Sequence, residues 1–298
     1  MSSKRLLSNA FKKAKRVAFN NSSKLVLFSD CHRGDNSFAD DFANNRNIYF
    51  HALKYYFDEG FSYFELGDGD ELWENHSFDS IFRAHKNVFL IMKQFHDQNR
   101  LHLIYGNHDM VYKNPQYVAK NLYTYLNPKT GKEEPLFDGI QVNESIVLTH
   151  EDTKQQLFLI HGHQADWWNY TFWRWGRFLV RILWKPLQVV GIADPTSPAK
   201  NHKELIKVER RIKKWIYENG NLLTITGHTH RPRFPEPGDL AFFNDGSCVH
   251  PRSITGIEIE NGAIRLIKWN IDTTDKGFLQ IVRTVLEGPV SLSNYISE

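Results

Sequence analysis

Residues 225–232 read Ile-Thr-Gly-His-Thr-His-Arg-Pro, and the reading of this stretch decides the fold. A short apolar run, Asn221 to Thr226, stops at Gly227, and His228 and His230 follow two residues apart. Alternate residues of an extended segment point the same way. Both imidazoles can therefore face one small volume, and Gly227 lets the backbone approach it closely. Imidazole is the commonest metal-ligating side chain. A lone His-x-His pair is equally a strand end carrying two solvated histidines; four other strand ends with similar polar residues favour the ligand reading.

Working outward, apolar runs and helical periodicity alternate in the manner of an α/β protein. Buried strands are expected at 24–29, 61–66 and 101–105, with helical patterns over 41–57 and 78–96 between them. Ser145–Leu148 and Gln156–Ile160 bracket Glu151-Asp152-Thr153-Lys154 as a hairpin. Further strands are expected near 222–226, 240–244, 253–259 and 263–269, the last two joined by Asn261-Gly262. The carboxyl ends of five strands carry Asp30-Cys31-His32-Arg33-Gly34, Gly67-Asp68-Gly69-Asp70-Glu71, Gly106-Asn107-His108-Asp109, His161-Gly162-His163 and Gly227-His228-Thr229-His230. Ligand sites of open α/β sheets lie beyond the carboxyl ends of strands, so the five clusters are expected on one rim.

In this order the clusters resemble the calcineurin-like metallophosphoesterases. That family's pattern runs Asp-x-His, Gly-Asp-x-x-(Asp/Glu), Gly-Asn-His-(Asp/Glu), a histidine ending a later strand, then Gly-His-x-His, and the match spans most of residues 24–270. The resemblance implies a four-layer α/β/β/α sandwich with a helical insertion at about 165–220. It implies that Asp30, His32, Asp68 and His230 hold one metal ion, and that Asp68, Asn107, His161 and His228 hold a second, with Asp68 bridging. It further implies that His108, paired with Asp109, stabilises the transition state or protonates the leaving oxygen, and that Glu71 orients a ligand. Arg33 and Arg231 are candidates for neutralising substrate phosphate, or are solvated loop arginines. Two divalent ions roughly 3.5–4 Å apart clamp the attacking and leaving oxygens of displacement at phosphorus and acidify a bound water. The Asp, Asn and His donors suit manganese first, with iron, zinc or cobalt as alternatives. Structural readings are expected for the remaining histidines, His163 being the least secure of them.

Between the fourth and fifth clusters, residues 167–184 read WWNYTFWRWGRFLVRILW and hold five of the chain's eight tryptophans. Arg174, Arg177, Arg181 and Lys185 follow at spacings of three and four, a basic stripe if helical. Tryptophan with arginine on an amphipathic helix suits a membrane interface or a lipid-covering lid; packing as a helical cap is the other reading. Lys203–Tyr217 reads as a second basic helix. The layout is similar to the UDP-2,3-diacylglucosamine hydrolases, peripheral membrane enzymes that split a pyrophosphate in a nucleotide-linked lipid. Their third motif commonly carries arginine where this chain has His108. The alternatives are a soluble phosphodiesterase, nuclease or protein phosphatase of the same superfamily and, last, a non-catalytic interaction module.

Composition is consistent with these readings. The 298 residues, 41% hydrophobic and 24% charged, make an ordinary globular chain. Two cysteines, Cys31 and Cys248, imply no disulfide framework and a reducing compartment. No secretory signal or spanning segment is read, so the expected location is cytoplasmic, on the inner face of the membrane if peripheral. Residues 1–23 hold six bases and no acid at amphipathic helical spacing. They are expected as an arm preceding a 24–298 domain, packed on that domain with its lysines solvated or set against an anionic membrane surface together with 167–185; nucleic acid is not the expected partner.

Overall fold

The computed structural model describes residues 2–166 and 202–295. In chain order the elements are α1 (Ser3–Lys13), β1 (Lys15–Phe19), β2 (Leu25–Phe28), α2 (Arg46–Asp58), β3 (Ser62–Leu66), α3 (Phe78–Ala84), α4 (Lys86–Asp97), β4 (Leu101–Ile104) and α5 (Pro115–Leu122). A small hairpin, β5 (Thr124–Asn127) and β6 (Lys132–Pro135), precedes β7 (Val142–Asn143), β8 (Ser145–His150) and β9 (Gln156–Ile160). After the insertion come α6 (His202–Glu218), β10 (Leu223–Thr226), β11 (Phe242–Asn244), β12 (Ser253–Glu260), β13 (Ala263–Thr273) and β14 (Leu279–Ser291).

Two sheets form the body, ordered β1-β8-β9-β10-β11 and β14-β13-β12-β2-β3-β4-β7. Each central strand is buried on both faces, which is why it reads as an unbroken apolar run. In β2, Leu25 and Leu27 join the core between the sheets, while Val26 and Phe28 join the core under α2–α5. A third core, with Leu7, Ala10, Phe158, Ile212 and Trp215, lies between the other sheet and the α1/α6 layer. Three cores between four layers make the α/β/β/α sandwich expected from the motif order. Asn261 and Gly262 both adopt positive φ between β12 and β13, the backbone that a tight two-residue hairpin requires.

Some expectations change. The N-terminal segment packs on its own domain with its bases solvated, as one reading expects, but it joins the sandwich rather than preceding it: α1 packs on α6, and β1 pairs in parallel with β8. Its lysines and arginines face solvent while Leu6, Leu7 and Ala10 are buried. The helix expected over 78–96 breaks at His85, which leaves helical geometry and bonds Asp40 through Nε2 at 2.7 Å. Strand β14 lies beyond the last expected strand. The Trp-rich stretch 167–185 lies outside the described residues. No helix among the described residues is long and apolar enough to cross a membrane.

Candidate metal centre

Strands β2, β3 and β4 run parallel in one sheet, and β9 and β10 run parallel in the other. Their carboxyl ends therefore deliver all five clusters to one rim. Strand pairing continues past the strand ends into the loops: Asp30 N–H donates to Gly67 O (3.0 Å), His32 N–H to Asp68 O (2.9 Å) and Gly227 N–H to His161 O (3.1 Å). Asp30, His32, Asp68, His228 and His230 all adopt left-handed φ between 48° and 66°. Such backbone costs a non-glycine residue about 1–3 kcal/mol and clusters at functional sites. Two glycines make this approach sterically feasible. A Cβ on Gly106 would fall 2.1 Å from Asp68 Oδ1, and one on Gly227 would fall 2.2 Å from Ser29 Oγ.

The side chains form two groups of ligand atoms, each within 4.8 Å of one another: Asp30, His32 and His230, and Asp68, His161 and His228. Asp68 Oδ2 stands between them, 3.2 Å from His161 Nε2 and 3.8 Å from His32 Nε2. Its Oδ1 accepts the His108 N–H at 2.8 Å. His230 Nε2 is 3.0 Å from Asp30 Oδ1, without the alignment of a hydrogen bond. Asn107 Oδ1 lies 3.3 Å from His161 Nε2, bringing it into the second group.

The tautomers decide whether a cation fits. His161 Nδ1 lies 2.8 Å from Leu66 O, which can only accept, so Nδ1 carries the proton. The neutral ring then turns the lone pair of Nε2 towards Asp68 Oδ2 and Asn107 Oδ1, which are acceptors themselves. His32 repeats the arrangement, with Nδ1 on Glu71 Oε2 at 2.8 Å and a buried Nε2 without a hydrogen-bond partner. The buried Nε2 of His228 and Oδ1 of Asp30 also lack one. Converging lone pairs, with outer ring nitrogens held by a carboxylate or carbonyl, are what a transition-metal site looks like. The donor set therefore fits one or more divalent ions.

His161 also attracts a proton: burial opposes its charge, yet Asp68 and Asp30 push its pKa up to about 9, so a cation would have to displace that proton to take the Nε2 lone pair. Burial and neighbouring His161 push His228 down to about 3, keeping it a neutral donor. Burial would raise the Asp68 carboxyl, but His161 and His108 hold it below the usual carboxylate range.

Beside this set, Glu71 spans two imidazoles, reaching His32 Nδ1 and His108 Nδ1 at 2.8–2.9 Å. These hydrogen bonds account for the third cluster of potential donors, His32, Glu71 and His108. Burial opposes its charge, but His108 and His32 hold Glu71 down to about 2. His108 stacks on Trp73 with ring centroids 4.5 Å apart, and Trp73 Nε1 donates to Asn107 O at 2.5 Å.

Two assignments need correction. Asp109 is not the partner of His108: its carboxylate accepts the N–H groups of Gly106 (2.6 Å) and Gly69 (2.9 Å), tying two loops together. Burial, with Asp68 and Asp70 nearby, pushes Asp109 up to about 8, so it is no ready anion for an imidazolium. Arg33 does not face substrate either. It is 1% exposed, bonded through Nη1 and Nη2 to Glu65 (2.6 and 2.8 Å) and through Nε to Asp70 (2.8 Å). Arg231 sits half-buried beside His230. His163 is buried beside His161, its pKa driven well down by burial and His161.

A sixth strand end, beyond the five expected, belongs to the rim. Asn244, closing β11, donates from Nδ2 to Gly227 O (2.6 Å), Thr226 Oγ1 (3.0 Å) and Thr229 Oγ1 (3.2 Å), bracing the turn that carries His228 and His230. Asp245 accepts from Ser29 Oγ at 2.6 Å, and the same hydroxyl contacts Asp30. The run Asn244-Asp245-Gly246 after an expected strand carried the same signal as the other five.

The chain matches no family model and no curated protein. Among solved structures it is similar to Vacuolar Protein Sorting 29 from Cryptosporidium parvum, at 12% identity over 89% of this chain and 98% of that one, with a TM-score of 0.38. It is also similar to Vps29 from Chaetomium thermophilum, at 10% identity over 90% and 97% of the two chains, with a TM-score of 0.37.

Proposed function

We propose that the chain is a metal-dependent phosphoesterase that hydrolyses a phosphate ester or pyrophosphate, with two divalent ions held by Asp30, His32, Asp68, Asn107, His161, His228 and His230. The observation that carries this reading is the position of Asp68 Oδ2 between two groups of converging donors, 3.2 Å from His161 Nε2 and 3.8 Å from His32 Nε2. Bound there, divalent ions would supply Lewis acidity towards phosphoryl oxygens and a water of lowered pKa. The chain's own part is to position groups and to move a proton. Glu71 holds His108 Nδ1 and Trp73 stacks on its face, which leaves Nε2 to meet a substrate oxygen. Burial opposes the imidazolium, but Glu71 and Asp68 outweigh it, so the His108 pKa is raised. The raised pKa favours the protonated imidazole, the form that suits donation to a leaving oxygen.

For the substrate, we propose an amphiphilic or nucleotide-linked phosphate met at an anionic membrane surface on the cytoplasmic side. Support comes from the Trp/Arg composition of 167–185 and from the outer helical layer. There Lys4, Arg5, Lys12 and Lys13 of α1 and Lys207, Arg210, Lys213 and Lys214 of α6 are all exposed. Protein reconstituted with manganese, iron, zinc or cobalt should hydrolyse p-nitrophenyl monoesters or diesters, and the same preparation tests UDP-linked lipids. Tight metal loading with no hydrolysis of any phosphate ester or pyrophosphate would sink the enzymatic reading. Anionic vesicles should co-sediment with the protein, less so as salt rises; indifference to vesicles would remove the membrane part alone.

A further inference from the structure

Strands β13 and β14 outrun the sheet that they belong to. Ser253, the first residue of β12, pairs with Asn270, so Ile271–Thr273 and their partners Leu279–Ile281 form a two-stranded ribbon with no third strand beside it among the described residues. Thr274 and Phe278 close its tip, with Thr274 N–H on Phe278 O at 2.8 Å. Because β12 runs antiparallel to β2, the ribbon projects at the rim end of the sheet. Strand β14 is also the edge of that sheet, and among the described residues no strand pairs with its outer side.

Exposed edges are normally blunted by charge, proline or irregular register. Such protection begins here only at Leu286, where the register shifts ahead of Gly288 and Pro289. From Phe278 to Val285 the edge carries a single charge, Arg283, which is taken up by Glu258 on its own sheet (Nε to Oε1 2.6 Å). Phe278 is 69% exposed, Leu279 75%, Val285 38% and Leu286 41%. A free two-stranded ribbon of this kind is marginal in water, and clustered apolar exposure marks an interaction surface.

We infer that this edge is a self-association surface, on which β14 of a second copy pairs antiparallel about Val282. The occupant follows from the order of residues along the strand. Pairing about Val282 sets Phe278 opposite Leu286 and Leu279 opposite Val285, each twice, so the four exposed apolar residues cover one another. Gln280 meets Thr284, a polar pair, and Ile281 meets the aliphatic stem of Arg283. Paired residues lie an even number of positions apart, so the outward N–H and C=O groups of one strand face those of the other, as an antiparallel ladder requires. The two seven-stranded sheets become one. Their rims point in opposite directions, leaving both metal centres open, so the inference stands independently of the phosphoesterase reading.

Sedimentation equilibrium of the full chain from about 1 to 100 µM, the weak end of specific interfaces, tests this. The mass should rise with concentration to twice the 34.9 kDa of one chain. The double variant Leu279→Lys, Val285→Lys should sediment as one chain with an unchanged melting temperature, since both side chains are already exposed. Val282→Cys should cross-link to its own copy under mild oxidation, whereas Gln280→Cys, set opposite Thr284, should not. A monomer throughout that range overturns the inference, as does a dimer that survives the double variant. Equal cross-linking at 280 and 282 overturns the register, and protected β14 amides in a monomer would show that another strand covers the edge.

Discussion

Replacing Glu71 with glutamine tests the reasoning about the centre most directly. The substitution keeps the size of the side chain but removes the charge that faces His32 Nδ1 and His108 Nδ1 at 2.8–2.9 Å. Hydrogen bonds to a charged group contribute about 1.5–3 kcal/mol each. On the His32 side, loss of the carboxylate that orients a ligand should weaken metal binding about 10–100-fold. Competition against a chelator measures this without reference to turnover. The pKa of His108 is raised in the folded chain, so its imidazolium contributes stability below its ordinary pKa and loses it as pH rises through the folded value. Without Glu71 that proton is held less tightly, and the alkaline limb of the rate profile should move to lower pH by about one unit, equivalent to ~1.4 kcal/mol. Asp68 still faces the ring, so the shift should be partial. Glu71 itself is held down to about 2, so its contribution is present above the ordinary glutamate range and lost as pH falls through about 2. Metal affinity within twofold of wild type, together with an unmoved alkaline limb, would refute the strut role of Glu71.

Asp68→Ala should abolish metal loading and hydrolysis together, because its Oδ2 serves both donor groups; elemental analysis showing full loading would end the bridging assignment. His108→Ala should lower turnover by about 10²–10⁴-fold with metal retained, the loss shrinking for p-nitrophenyl leaving groups. An equal loss across leaving groups would point to charge stabilisation rather than proton donation. Arg33→Met should destabilise the fold by about 3–5 kcal/mol, since it strands the buried Glu65 and Asp70 carboxylates. Urea denaturation reads this directly, and a loss below about 1 kcal/mol would mean that the network is not what anchors the His32 loop.

Much of the centre was legible because it repeats one local device, a buried strand ending in glycine and a polar side chain. Apolar runs, glycines and two-residue histidine spacings are properties of neighbouring residues. They identified β2, β3, β4, β9 and β10 and the loops that follow them. The Asn261-Gly262 hairpin was equally local. Strand β1 was not legible, because Lys15 and Arg16 continue a basic helical pattern and only pairing with β8, 131 residues on, makes them extended. Strand β14 escaped for the opposite reason: its outer half is solvated and gives no burial pattern.

Sequence alone settled which residue types reach the rim and in what order, since strand direction and side-chain alternation require nothing beyond the chain itself. Which acid holds which histidine was decided only by tertiary structure. Asp109 is adjacent to His108 in sequence, yet a tight loop turns its carboxylate into Gly106 and Gly69. Glu71, 37 residues away, reaches the ring instead. Arg33 follows His32 but points beneath the site, where Glu65 and Asp70 compensate the cost of burying its charge. Asn244 and Asp30 hold the His228 turn from 17 and 198 residues away. Contacts at such separations depend on how the sheets stack and on left-handed loop backbone, neither of which a local pattern encodes.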